Sequence, residues 1–246
     1  MPHTSATPST PEVPAFAAPI ILLGVVPALL PVALGIWNGE SVPYQITRML
    51  GLASLSLWAL SLVLMLRLQA LEAAAGGLDR LYFLHHLCGG VAYLAMLAHP
   101  IPLFFSSSAG ALLNISHWPM TAGWISLLLL MAMMLTTFLL PLRYARWKQV
   151  HAISAPAFIL AGAHAIALAP GRFSFDRLFA GAALLVGCSC LAIRYLMEAG
   201  RVRSLPYRVE HVSHPSAEVT EMVLSPDNLT VRPKPGQFIF AAFFDC

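Results

Sequence analysis

Residues 81–105 read LYFLHHLCGGVAYLAMLAHPIPLFF, without a single Asp, Glu, Lys or Arg. A helix needs about 20 mostly apolar residues to cross a hydrocarbon layer about 30 Å thick, and this stretch has them. It also holds three histidines, His85, His86 and His99. Ionisable groups at membrane depth are costly and usually face a cavity, a partner or a cofactor. The run therefore points to lipid as the solvent and raises the question of what the histidines serve.

Five further apolar runs flank it, at roughly 16–37, 47–66, 120–142, 150–170 and 177–197. Only 10% of the chain is charged, against about 25% in soluble domains. These features predict an all-α membrane protein, a six-transmembrane-helix bundle occupying residues 16–200. Pro19, Pro27 and Pro31 predict a kink in the first run. Residues 1–15, rich in Pro, Ser and Thr, read as a disordered tail. No Lys or Arg precedes the first run, which argues against a cleaved signal peptide. The formal charge of +3 suggests no nucleic-acid partner.

Arg67, Arg80, Arg143, Arg146, Lys148, Arg194, Arg201 and Arg203 fall on one set of alternating connections. Only Arg48, Arg172 and Arg177 fall on the other. The positive-inside rule assigns the richer side to the cytoplasm, which puts both termini there. Beyond residue 205 the character changes. Charges return, Val219 to Val223 partly alternate in polarity, and Ser225-Pro226-Asp227-Asn228 reads as a turn. Pro235-Gly236-Gln237 and the apolar stretch Phe238 to Phe244 follow. Residues 205–246 thus read as a partial antiparallel β-barrel segment, because two or three open strands do not make a stable sheet alone. The expectation is a chain cut inside its second domain. The four cysteines form no paired framework and read as small packing residues.

The chemistry rests on spacing. His85 and His99 are 14 residues apart, and His151 and His164 are 13 apart. At about 1.5 Å per residue both separations are about 20 Å, which fits within the hydrocarbon core. The third and fifth runs point the same way, so His85 and His151 share one depth and His99 and His164 another. Facing imidazoles at one depth can clamp a haem iron from both sides, whereas zinc needs its ligands to converge on one point. No Cys-x-x-Cys-His occurs, so the haems would be non-covalent, of b type. Helical phase suits the third run, where 14 residues return to within roughly 40° of the starting face. It does not suit the fifth, where 13 residues leave the pair roughly 140° apart. Pro156 lies between them. His86 is also 13 from His99, so spacing leaves His85 and His86 as alternatives.

RMLGLASLSLWALSLVLMLR (48–67), LDRLYFLHHLCGGVAYLAMLAH (78–99) and WKQVHAISAPAFILAGAH (147–164) resemble the ferric reductase-like transmembrane family, which includes the NADPH oxidases and bacterial flavocytochrome relatives. The family's third-helix pattern is His, often Arg, two residues, Gly, and a second His 14 beyond the first. His85, His86, Leu87, Cys88, Gly89 and His99 fit it, with His86 in the place of the Arg, and the match favours His85 as ligand. His151 and His164 fit the fifth-helix pattern. PYRVEHVSHPSAEVTEMVLSPDNLTVRPKPGQFIFAAFF (206–244) resembles the start of a ferredoxin-reductase-type FAD-binding barrel.

The resemblance implies electron transfer from cytosolic NAD(P)H through FAD to an inner haem (His85/His151), an outer haem (His99/His164) and then an external acceptor, a ferric chelate or oxygen. Arg48 resembles the family arginine near the outer haem, where a cation would hold a propionate or attract an anionic acceptor. A snorkelling interfacial arginine is the plainer account. NADPH oxidases carry a second outer His where this chain has Leu103, which argues against an oxidase-type oxygen pocket. Phe158 lies between the two layers and reads as packing. The flavin-contacting motif and the nicotinamide domain do not follow, so the expected partners are those missing domains or a separate reductase. No NAD(P)H-dependent turnover is expected unless a reductase is supplied. The alternative is a haem-bearing membrane subunit that donates electrons to a separate periplasmic oxidoreductase.

Overall fold

The computed structural model describes residues 39–106, 109–200 and 206–227, together with positions 19, 22, 24–26, 28–30 and 33. The chain divides into two units, residues 1–193 and 194–246. The helices are α1 (Val42–Leu64), α2 (Gln69–Ala75), α3 (Leu78–Ala98), α4 (Ile101–Phe104), α5 (Ala109–Leu112), α6 (Trp118–Leu139), α7 (Tyr144–His151), α8 (Ser154–Leu168) and α9 (Phe175–Gly200).

Five helical stretches are long and apolar enough to span a bilayer: Val42–Leu64, Leu78–Phe104, Trp118–Leu139, Tyr144–Leu168 and Phe175–Met197. The protein is a multi-pass membrane protein. These stretches are the second to sixth expected runs. The second begins earlier than the expected residue 47, because Pro43 lies in the first turn, where its missing N–H is not needed. The described positions of the first run, from 19 to 33, are helical. Of the three prolines expected to kink it, Pro19 is in a helical position, while Pro27 and Pro31 lie outside the described residues, as does the tail 1–15.

The long helices α1, α3, α6 and α8 are largely apolar all round, as lipid-immersed helices are. Leu94, Leu128, Leu135 and Leu185 are each more than half exposed on outer faces, while Leu55, Leu57, Leu84 and Phe158 are fully buried inside. Lipid does not drive apolar faces together, so close packing and hydrogen bonds must hold the helices. α1 lies along α3, and the buried Ser54 hydroxyl donates to the Ala92 carbonyl at 2.8 Å. α6 lies along α8, and the buried Ser126 hydroxyl donates to the Ala157 carbonyl at 2.7 Å. Such bonds contribute about 0.6 kcal/mol each on average; their larger effect is to fix helix register.

Two spans are broken, both beside histidines. His99 caps α3, and Pro100 and Pro102 begin the short α4. In the fifth span the break falls at Ala152–Ile153, between α7 and α8. Pro156 has no N–H to give the Ala152 carbonyl, and tighter bonds take over there, Ala155 N–H to Ala152 at 3.1 Å and Ile153 N–H to Val150 at 3.0 Å.

The second unit holds a two-stranded antiparallel sheet, β1 (Tyr207–Ser216) with β2 (Val219–Pro226). Ala217 and Glu218 form the turn. Ser225 and Pro226 are not the start of a turn, as expected, but the end of β2, opposite Arg208 and Tyr207. Both strands there keep their pairing to the hairpin's end, where Asp227 N–H bonds the Pro206 carbonyl at 3.1 Å. Asn228, the Pro235-Gly236-Gln237 stretch and the Phe238–Phe244 stretch lie outside the described residues.

Candidate functional site

The structure brings the four intramembrane histidines together as two pairs. The His85 and His151 rings have centroids 6.2 Å apart with planes at 68°. The His99 and His164 rings are 6.1 Å apart at 87°. Two imidazoles bound from opposite sides to one metal ion, each nitrogen about 2.0 Å from the ion and about 1.1 Å from its ring centre, have centres about 6 Å apart. Each pair therefore has the spacing that one ion between two rings requires. Among the described residues no group of three or more His, Cys, Asp or Glu side chains converges as a metal cluster.

His85, not His86, faces His151. Leu81, Leu84 and Cys88 turn one face of α3 inward against the core and carry His85 with them, leaving His86 exposed on the flank. The two neighbouring rings are tilted, 5.5 Å apart.

Three of the four rings are held at Nδ1 by a neighbouring helix. His99 bonds the Thr47 carbonyl at 2.7 Å, and His164 bonds the Pro119 carbonyl at 2.7 Å. His85 Nδ1 lies 2.7 Å from the Ser61 hydroxyl and 3.2 Å from the Ser61 carbonyl. A bond at Nδ1 orients the ring and leaves Nε2 for the space between the pair. Nδ1 of His151 is buried with no hydrogen-bond partner among the described residues. Its ring instead stacks on Trp147, 4.9 Å away at 24°.

Both outer rings dock by the same device. Four residues after Thr47 comes Gly51, and four residues after Pro119 comes Gly123. On a helix, positions four apart share a face, so each ring lies over a bare glycine and reaches the carbonyl one turn back. A Cβ on Gly51 would sit 2.8 Å from the His99 ring, and one on Gly123 would sit 2.6 Å from the His164 ring. Sequence reasoning did not single out these glycines or Ser61. The available signal was a glycine at the same depth as each outer histidine.

The outer pair lines a cavity of ≈ 250 Å³ that also includes Arg48, Tyr44, Leu103, Trp124 and Asp176. Arg48 is largely buried and ion-paired, with Glu40 at 2.5 Å and with Asp176 at 3.3 Å. Its charge is thus met by two carboxylates of the chain itself, which weakens its suitability for an anionic acceptor. Asp176 was not foreseen, although a carboxylate inside an apolar span is by itself a functional pointer. Phe158 is fully buried, edge-on to Trp58 at 5.4 Å. By position in α8 it lies between the two histidine depths.

Residues 50–162 match the family described as ferric reductase like transmembrane component. That segment belongs to the ferric reductase-like family. The matched segment contains His85, His99 and His151, while Arg48 precedes it and His164 lies two residues beyond it. Membership implies electron transfer across the membrane and an oxidoreductase role, and the ferric reductase-like family typically binds haem. No curated protein matches the chain.

Proposed function

We propose that this ferric reductase-like domain conducts electrons across the membrane through two b-type haems, held by His85 with His151 and by His99 with His164. The observation that carries this reading is the pair of facing rings at 6.2 and 6.1 Å, each spaced for one ion between two imidazoles. Haem held by these two pairs of rings would supply one-electron chemistry suited to electron transfer. The protein's part is to orient the rings. Thr47, Pro119 and Ser61 fix three of them through Nδ1, and the buried Trp58–Phe158 pair packs between the layers.

The first run, packed through Gly24 and the fully buried Ala28, is proposed as the sixth span of domain 16–200. The basic residues, eight against three, support cytoplasmic termini. The antiparallel pairing of β1 and β2 supports residues 205–246 as part of an FAD-binding barrel. On this reading electrons from cytosolic NAD(P)H pass by way of FAD to the inner site, the outer site and an external acceptor, a ferric chelate or oxygen. Flavin and nicotinamide domains, or a reductase that supplies them, are the partners.

The test is a reduced-minus-oxidised visible spectrum of the purified chain with haem quantified per polypeptide. Two low-spin b-type haems are expected; a haem-free protein that is folded would refute the proposal.

A further inference from the structure

We infer that Trp147 is the positioning residue of His151, an aromatic stack replacing the hydrogen bond that orients each of the other three rings. The inference rests on the haem reading above. His85, His99 and His164 are each tied through Nδ1 to a different helix, to α1, α1 and α6 respectively. His151 has no such tie among the described residues, although its Nδ1 is buried. It is also the last residue of α7, next to the break at Ala152–Ile153, so the following backbone does not hold it in a continuous helix.

What restrains the ring is on its own helix. Trp147 lies one turn earlier, on the same face, and its indole is nearly parallel to the imidazole, 4.9 Å away at 24°. Tyr144 continues the stack on the far side of Trp147, 5.8 Å away at 26°. A flat ring against a flat ring fixes the plane of the imidazole and prevents rotation about its Cβ–Cγ bond, which is the job that a Nδ1 hydrogen bond does elsewhere. The stack leaves His151 the one histidine of the four whose orientation depends on a single neighbouring side chain. Removing that neighbour should free the ring, and the inner site should lose one axial ligand while the outer site stays closed.

Carbon monoxide reports this directly, because it binds ferrous haem only where an axial position is open. The full chain in detergent is reduced, exposed to carbon monoxide and scanned, with haem content measured in parallel. The wild type should form no adduct. Trp147→Ala should form an adduct at about half of its haem, as the benchmark His151→Ala should, and Trp147→Phe should return to the wild-type result because it keeps a flat ring. Trp147→Leu, which preserves apolar bulk but cannot stack, distinguishes orientation from simple filling and serves if the alanine variant does not insert. The inference is overturned if Trp147→Ala or Trp147→Leu stays closed to carbon monoxide, or if Trp147→Phe opens as fully as they do. A wild-type chain with no haem would instead sink the haem reading.

Discussion

Replacing Gly123 with alanine places a methyl carbon 2.6 Å from Nδ1 of His164, 2.7 Å from Cε1 and 3.1 Å from Cγ. Ordinary contact begins near 3.4 Å, so the ring must retreat by the difference, 0.8 Å, or α6 and α8 must part. The ring cannot retreat freely, because the same Nδ1 bonds the Pro119 carbonyl at 2.7 Å, one turn back on the helix that carries the new methyl. Overpacking of this kind costs about 1–3 kcal/mol, and loss of the hydrogen bond adds about 1 kcal/mol. Against this, alanine is favoured over glycine in a helix by about 1 kcal/mol. The balance is about 1–3 kcal/mol against the mutant, or about five-fold to more than a hundred-fold weaker retention of the outer haem. Gly181→Ala is the matched control, since a Cβ there meets nothing within 4 Å. The assay is haem per chain during dilution or competition with a haem-binding apoprotein, with thermal unfolding in detergent alongside. Gly123→Ala should lose one haem selectively, and Gly181→Ala should keep both. Equal retention in the two variants, with Gly123→Ala gaining stability, would refute the argument that the glycine exists to admit the ring.

Two further outcomes follow from the same contacts. Ser61→Ala removes the hydroxyl 2.7 Å from His85 Nδ1 but leaves the Ser61 carbonyl at 3.2 Å as a second acceptor for the Nδ1–H, so both haems should stay bound while the ring, donating a weaker hydrogen bond, becomes a less basic ligand and raises the midpoint potential of one; potentiometric titration checks this, and two unchanged midpoints would contradict it. Asp176→Asn removes one of two carboxylates on the buried Arg48 while Glu40 remains, and should lower stability by about 1–3 kcal/mol, read as an earlier thermal transition; an unshifted transition would show that Glu40 alone satisfies the arginine.

Much of the site was legible because the bilayer simplifies the problem. In a medium without water an apolar run of the right length is already a spanning helix, and a histidine within it already stands out. The positions of His85, His99, His151 and His164 along their helices then follow from the fixed rise per residue. Less legible were the groups that hold these rings, because backbone carbonyls such as those of Thr47 and Pro119 carry no signature in a sequence. Asp176 was overlooked for a different reason: it lies at the start of its apolar run, and its partner Arg48 is 128 positions away in the chain.

The 14-residue spacing in the third run and the depths of the two layers were determined by the sequence alone, since both depend only on helix geometry. Two matters needed the tertiary structure. Spacing left His85 and His86 open and the family pattern favoured His85; the physical reason that His85 faces His151 is a rotation of α3 about its axis, set by packing of Leu81, Leu84 and Cys88 against the core. The 13-residue spacing of His151 and His164 conflicts with a continuous helix, whose faces at those positions diverge by roughly 140°. The chain ends α7 at His151 and begins α8 at Ser154, with tighter bonds across Ala152–Ile153. A proline that cannot donate to the Ala152 carbonyl explains why the break falls there, and the break turns two mismatched positions into two rings that face their partners on α3.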